Sequence, residues 1–217
     1  MLMVHPTRYG AGVTLWGDAH DLAHLRDTIY DLSDEEAVGP ALSALLLGLA
    51  YDVRHAYQRD RLEQTIGLGD LDATRYRGCQ ILWPYFLVQV SLLRHAAGYR
   101  PTTAGHQADL YRLEAATAAA LQEADAQVAQ ACLELLPHVG DLPHGYLVSF
   151  IDVQVRHYLS GPGGKRRLAR LPALLRSLQW LGPEYREYER QLKLIAEEKG
   201  CQPADLEDAG EWPEFRW

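Results

Sequence analysis

Pro40-Ala41-Leu42-Ser43-Ala44-Leu45-Leu46-Leu47-Gly48-Leu49-Ala50-Tyr51-Asp52-Val53-Arg54-His55-Ala56-Tyr57 is the stretch that decides the fold. Leu42, Leu45, Leu46, Leu49, Val53 and Tyr57 recur in steps of three and four, the spacing of a helix with one buried side. Proline is tolerated where that helix opens, because the missing N–H has no intrahelical acceptor there. The apolar run from Ala41 to Ala50 is about half as long as a membrane span requires. It reads as a core helix.

Reading toward the N-terminus, Asp18 stands where a helix cap belongs, and Leu22, Leu25, Ile29 and Leu32 follow at helical spacing. Before it, Val13-Thr14-Leu15-Trp16 alternates between glycines and predicts a short strand. Toward the C-terminus, residues 64–79 carry mixed polarity and glycine, predicting a loop or irregular hairpin. Cys79 to Trp83 reads as extended, and a helix apolar on nearly all sides runs from Pro84 to about Gly98. Such a helix belongs at the centre of a core. From Gln107 to Leu136 no glycine or proline intervenes, which predicts one helix of roughly 45 Å. Further helices are expected at 144–159, at 165–181 with a kink at Pro172, and at 183–199. The aromatic end, Trp212 to Trp217, predicts a tail docked on the body.

The sequence thus predicts a mainly α, single-domain multi-helix bundle over residues 1–217, with a small β-strand or hairpin element near the N-terminus. That element is expected to pair with the tail or with residues 79–83. The glycine-rich connector 160–164 is the best place to cut the chain, and a weak one. At 217 residues and 47% hydrophobic composition, the chain suits one substantial core. Its net charge of −8 argues against a dedicated duplex-DNA binder. Cys79, Cys132 and Cys201 are odd in number and lack zinc spacing, which favours a reduced, cytoplasmic setting. The first residues lack a signal peptide's apolar stretch. A soluble protein without membrane contact, metal or cofactor is the expectation.

The densest chemistry lies at the end of the opening helix. Helical spacing puts Asp52, His55 and Arg59 on one flank, with Arg54 on the adjacent stripe. A carboxylate beside an imidazole orients the ring and favours its protonated form, and a guanidinium offers a fork for phosphate or carboxylate. The set reads as an acid/base pair with an anion clamp, or as a polar network tying the helix to its surroundings. The second reading is the commoner use of such residues.

Gly12-Val13 through Gly17-Asp18, Tyr51-Asp52-Val53-Arg54-His55-Ala56, Leu82-Trp83-Pro84 and the terminal Trp212-Pro213-Glu214-Phe215-Arg216-Trp217 together resemble a family of uncharacterised bacterial proteins. The resemblance covers the first hundred residues and the extreme C-terminus. It implies a bacterial origin and singles out Asp18, Asp52, Arg54, His55 and Trp83. Arg54-His55 also resembles half of the motif of all-α HEPN-type ribonucleases, but the downstream position holds Arg59, Asp60 or Arg61 and no histidine. Arg100 and His106 have the spacing, in a stretch that reads as a broken loop.

Three Arg-His pairs, at 54–55, 94–95 and 156–157, stand near predicted helix ends, where the helix dipole favours cations. If the ends converge, Arg94 and Arg156 join an anion site. Lys165, Arg166, Arg167 and Arg170 form the one basic cluster, a candidate for nucleic acid or an acidic partner. His20 and His24 are four apart, yet spacing fixes no further metal ligand.

No complete catalytic constellation is visible. The leading expectation is therefore a protein that acts by binding a partner protein, in stress response or defence. The alternative is a small hydrolase acting on RNA or another phosphate ester. There His55 is the acid/base, Asp52 its orienter, and Arg54 or Arg59 the phosphate clamp. Whether the chain is an enzyme stays open at this stage. So does its assembly, since the long Ala-rich helix can pack within one chain or across a homodimer.

Overall fold

The computed structural model describes residues 1–67, 73–139, 146–179, 182–206 and 210–217. Four antiparallel strands, β1 (Met3–Pro6), β2 (Gly12–Gly17), β3 (Leu62–Ile66) and β4 (Thr74–Leu82), form one sheet in the order β1-β2-β4-β3. The expected partner of the β element is thus 79–83 and not the tail. In the β2–β4 register Val13 lies opposite Ile81 and Leu15 opposite Cys79, and all four are buried. Two glycines make that pairing close. A Cβ at Gly12 would sit 2.0 Å from the Ile81 carbonyl oxygen, and one at Gly78 would sit 2.6 Å from the Trp16 ring laid over it. The sheet is larger than a single hairpin element, and "bundle" understates it. Of the two expectations for residues 64–79, a loop or an irregular hairpin, the hairpin holds, and it is regular: these residues contribute most of β3–β4, whose tip at 68–72 lies outside the described residues.

Helices cover the sheet and supply most of the chain. In α1 (Ala19–Leu32), the Asp18 carboxylate accepts from the amides of His20 and Asp21, the predicted cap, and Leu22, Leu25, Ile29 and Leu32 are buried. Burial pulls the Asp18 carboxyl upward, but those amide bonds, together with the nearby N-terminal ammonium, hold it below the usual range. A short α2 (Glu35–Val38) precedes α3 (Pro40–Tyr57), which opens on its proline as expected. The central helix is α4 (Trp83–Ala96); Trp83, Phe86, Leu87, Val88, Leu92 and Leu93 are all fully enclosed.

The Ala-rich stretch is two helices, α5 (Ala104–Ala124) and α6 (Ala126–Leu135). Asp125 adopts an extended conformation between them, and its carboxylate caps α6 through the amides of Gln127 and Val128. Both helices pack within the chain, α5 against β1, α1 and α4. Next comes α7 (Leu147–Ser160); residues 144 and 145 of its expected start lie outside the described residues. The expected helix over 165–181 is split into α8 (Lys165–Leu168) and α9 (Leu171–Ser177). Pro172 opens α9 in the first turn, where proline fits, and does not kink a longer helix. Finally α10 (Pro183–Lys199) matches its expected span. The tail docks: Phe215 and Trp217 pack on the core, and the Trp217 carbonyl accepts from the Tyr9 amide at 3.3 Å. Among the described residues no helix is long and apolar enough to cross a membrane.

Candidate functional site

The four residues of the predicted acid/base set each have their own partner. His55 Nδ1 meets the Asp60 carboxylate at 3.0 Å, so the residue orienting the ring is Asp60 and not Asp52. Its Nε2 is buried with no hydrogen-bond partner, and the ring lies 4.3 Å from that of Tyr51. The Arg54 guanidinium lies over the Tyr51 ring at 5.3 Å. Arg59 stands beyond the end of α3, in a turn with φ of +70°, and its Nε is 3.7 Å from Glu63. Asp52 faces Arg61 at 3.5 Å. The expected flank is broken because α3 stops at Tyr57, and the turn that follows supplies Asp60 and Arg61 as nearer counter-charges.

Asp52 leads to a different site. It lines a cleft of about 470 Å³ together with Gly48, Gln80, Tyr85, Gln89 and Asp152, walled by Leu45, Val148 and Trp217 among others. Each side comes from a separate element: α3 gives Asp52, α4 gives Tyr85 and Gln89, and α7 gives Asp152. The tail gives Trp217, and β4 gives residues 80–82. Among the described residues β3 pairs with β4 only from Thr74 to Gly78, so residues 79–82 have a strand partner on the β2 side alone. On the α3 side, Gly48 contributes no side chain between Leu45 and Asp52.

The polar side chains of the cleft are two carboxylates, Asp52 and Asp152, the amides of Gln80 and Gln89, and the Tyr85 hydroxyl. The Tyr85 hydroxyl donates to Asp152 at 2.6 Å. Gln89 is 5% exposed, and its Nε2 donates to the Leu45 carbonyl at 3.0 Å. That bond fixes which end of the amide is oxygen, and the Oε1 at the other end is buried without a partner. Burial drives the Asp52 carboxyl above the ordinary aspartate value, opposed by the charges of Arg61 and His55. No Lys, Arg or His is among the described residues lining this cleft. Two carboxylates and an orphaned amide oxygen beside an indole suit a ligand rich in N–H donors and positive charge.

The expected anion-binding residues do not gather. Arg94 is held by Glu114 in a two-pronged pair at 2.6 and 2.8 Å and by Gln107 at 2.7 Å. The Glu114 hydrogen bond, against some desolvation, raises its pKa further. Arg156 lies over the Trp212 ring. In the basic cluster, Arg167 is 4% exposed and donates to the carbonyls of Tyr9, Leu159 and Gly161. Arg170 donates to those of His157 and Tyr158. Both close the C-terminal end of α7, where carbonyls lack helical partners and cations are favoured. Only Lys165 and Arg166 of the four face solvent. His20 and His24 stack at 4.1 Å, and no group of three metal-ligating side chains occurs among the described residues.

A family described as Domain of unknown function (DUF6904) matches residues 2–217. The chain belongs to the DUF6904 family. No curated protein and no solved structure matches it.

Within this DUF6904 chain, the residues singled out by the earlier resemblance have distinct physical roles. Asp18 is a helix cap, and Trp83 is the largest enclosed core side chain, its indole N–H unpartnered. Asp52 lines the cleft. The HEPN-like spacing at Arg100 and His106 resolves into tethers. Arg100 pairs with Asp34 at 2.5 Å, and His106, in the first turn of α5 and not in a loop, pairs with Asp31 at 3.1 Å. Sequence reasoning missed Gln89, Tyr85 and Asp152. The first two sit in a run that reads as core, and the one legible signal was a lone amide inside an otherwise apolar helix.

Proposed function

We propose that this chain is a cytosolic bacterial protein that acts by binding, and that the cleft between α3, α4, α7 and the tail holds a basic side chain of a partner protein. The observation that carries this reading is the buried, partnerless Gln89 Oε1 with its orientation fixed. A buried acceptor left unpaired costs about 1–3 kcal/mol; Gln89 lines the cleft, and an N–H entering there relieves that cost once the amide shifts to meet it. Asp52 and Asp152 supply the charge that selects a cation over a neutral amide. Residues 79–82 of β4, beside the cleft and without a strand partner on the β3 side among the described residues, suit an extended peptide, which favours a protein partner over a free amine.

The test is titration calorimetry with two probes, acetyl-Ala-Arg-Ala-amide and agmatine. The expected result is saturable binding of the peptide, tighter than agmatine, weakened about tenfold or more by Asp52→Asn. Equal binding of both probes moves the reading to a small amine. No binding of either, or binding indifferent to Asp52→Asn, overturns it. RNA cleavage by the purified chain that His55→Ala abolishes would replace binding by the hydrolase alternative.

A further inference from the structure

The outer edge of β3 raises a question separate from the cleft. Among the described residues no strand pairs with it. It carries no proline and no lysine, two of the devices that keep sheet edges from pairing, and its one charged residue is Glu63. Leu62 and Ile66 are 39% and 44% exposed. With Gln64 between them they share one face of the strand, since side chains alternate.

We infer that two copies of this chain pair through β3, antiparallel about a twofold axis at Gln64, to form a continuous eight-stranded sheet. A twofold contact must be complementary to itself, and the strand Leu62-Glu63-Gln64-Thr65-Ile66 has that pattern. With Gln64 opposite Gln64 of the second copy, each Leu62 lies opposite an Ile66 and each Glu63 opposite a Thr65. The apolar pair falls on the face where Gly78, the partner of Leu62, is covered by the Trp16 ring. Pairing therefore extends an apolar strip that one chain leaves unfinished.

Charge fits the same register. Thr65 lies opposite Arg75 within the chain, so Glu63 of the second copy falls two strands from Arg75, about 10 Å between backbones. An arginine and a glutamate span that distance together. Arg75 is exposed and has no ion-pair partner among the described residues, while Glu63 is held only loosely, at 3.7 Å from Arg59 and 3.9 Å from Arg77. A shift of one residue would place Leu62 and Ile66 opposite polar side chains on the wrong face.

Sedimentation equilibrium and light scattering on the full chain test this. The expected mass is twice the 24.4 kDa of the chain. Ile66→Lys, counted twice by symmetry, should raise the dimer dissociation constant by about tenfold or more, with an unchanged circular dichroism spectrum because Ile66 is exposed. Glu63→Arg should also weaken the dimer, and adding Arg75→Glu should restore it, which a folding defect would not do. A single-chain mass at about 0.5 mM protein, a dimer indifferent to Ile66→Lys, or failure of the charge swap to restore pairing overturns the inference. All three outcomes leave the cleft untouched, since β3 contributes no residue to it.

Discussion

At Asp52, burial and charge act in opposite senses, and burial prevails. Its carboxyl titrates above the usual 3.8 in the folded chain, so between that value and the folded one the native state binds more protons than the unfolded state. The contribution to stability is present in full below the unfolded pKa and is lost as pH rises through the folded one. Asp52→Asn should therefore leave the melting temperature at pH 7 unchanged or raised, and calorimetry should find that gain shrinking toward pH 4. The same substitution should weaken the cleft's hold on a cation. A carboxyl buried at some cost to the fold is what the proposed binding role calls for. Gln89→Met makes a companion case. It gives up the bond to Leu45 and removes the orphaned oxygen with it, so stability should move by less than about 1 kcal/mol while peptide affinity falls. A loss of several kcal/mol in chemical denaturation would mean that the amide is simply structural. The sequence pointed at His55 because i, i+3 spacing permits contact with Asp52. Spacing could not reveal that Asp60, past the end of the helix, lies nearer. It pointed away from Gln89 because one amide among Phe86, Leu87, Val88 and Val90 reads as packing.

Helices were legible wherever local rules set them. Asp18, Pro40 and Pro183 all open the helices that their cap and proline signals predict. The rules failed where a capping residue sat inside a stretch with high helix propensity. Asp125 lies between Ala124 and Ala126 and ends one helix to begin another; periodicity on either side hides it. Asp125→Ala should remove two capping bonds and cost about 1 kcal/mol, a fall of about 2–4 °C in melting temperature for a chain of this size. An unchanged melting temperature would mean that packing alone holds the break. The basic cluster failed for a related reason. Lys165 to Arg170 reads as a charged surface until Arg167 is seen beneath it, joining three carbonyls from α7, the connector and the N-terminal loop. Arg167→Met keeps much of the volume but leaves those carbonyls unpaired, and should cost about 3 kcal/mol. Lys165→Ala and Arg166→Ala, both exposed, should each stay within about 0.5 kcal/mol by the same denaturation assay.

At the scale of the molecule, the helical class was legible and the sheet was only partly so. Strand β1 lacks clear alternation and owes its conformation to β2 and to α5 behind it, contacts that no local window contains. The tail is the counterexample, since its late aromatics announced docking. Its two tryptophans nevertheless differ. Trp217 packs on the core beside Phe215, lines the cleft, and is tied through its carbonyl to Tyr9. Trp212 is 49% exposed and lies under Arg156. Trp217→Ala should therefore cost about 2 kcal/mol, less than a fully enclosed tryptophan because the ring is half-buried. It should also speed hydrogen exchange at the Tyr9 amide and reduce peptide affinity in the cleft. Trp212→Ala should lower stability by under about 1 kcal/mol, mostly through the lost stacking of Arg156, and leave both other measurements unchanged. Equal effects of the two substitutions on stability, exchange and affinity would show that the tail acts as one undifferentiated patch. A difference confined to Trp217 ties the N-terminal hairpin, the core and the cleft together through one indole.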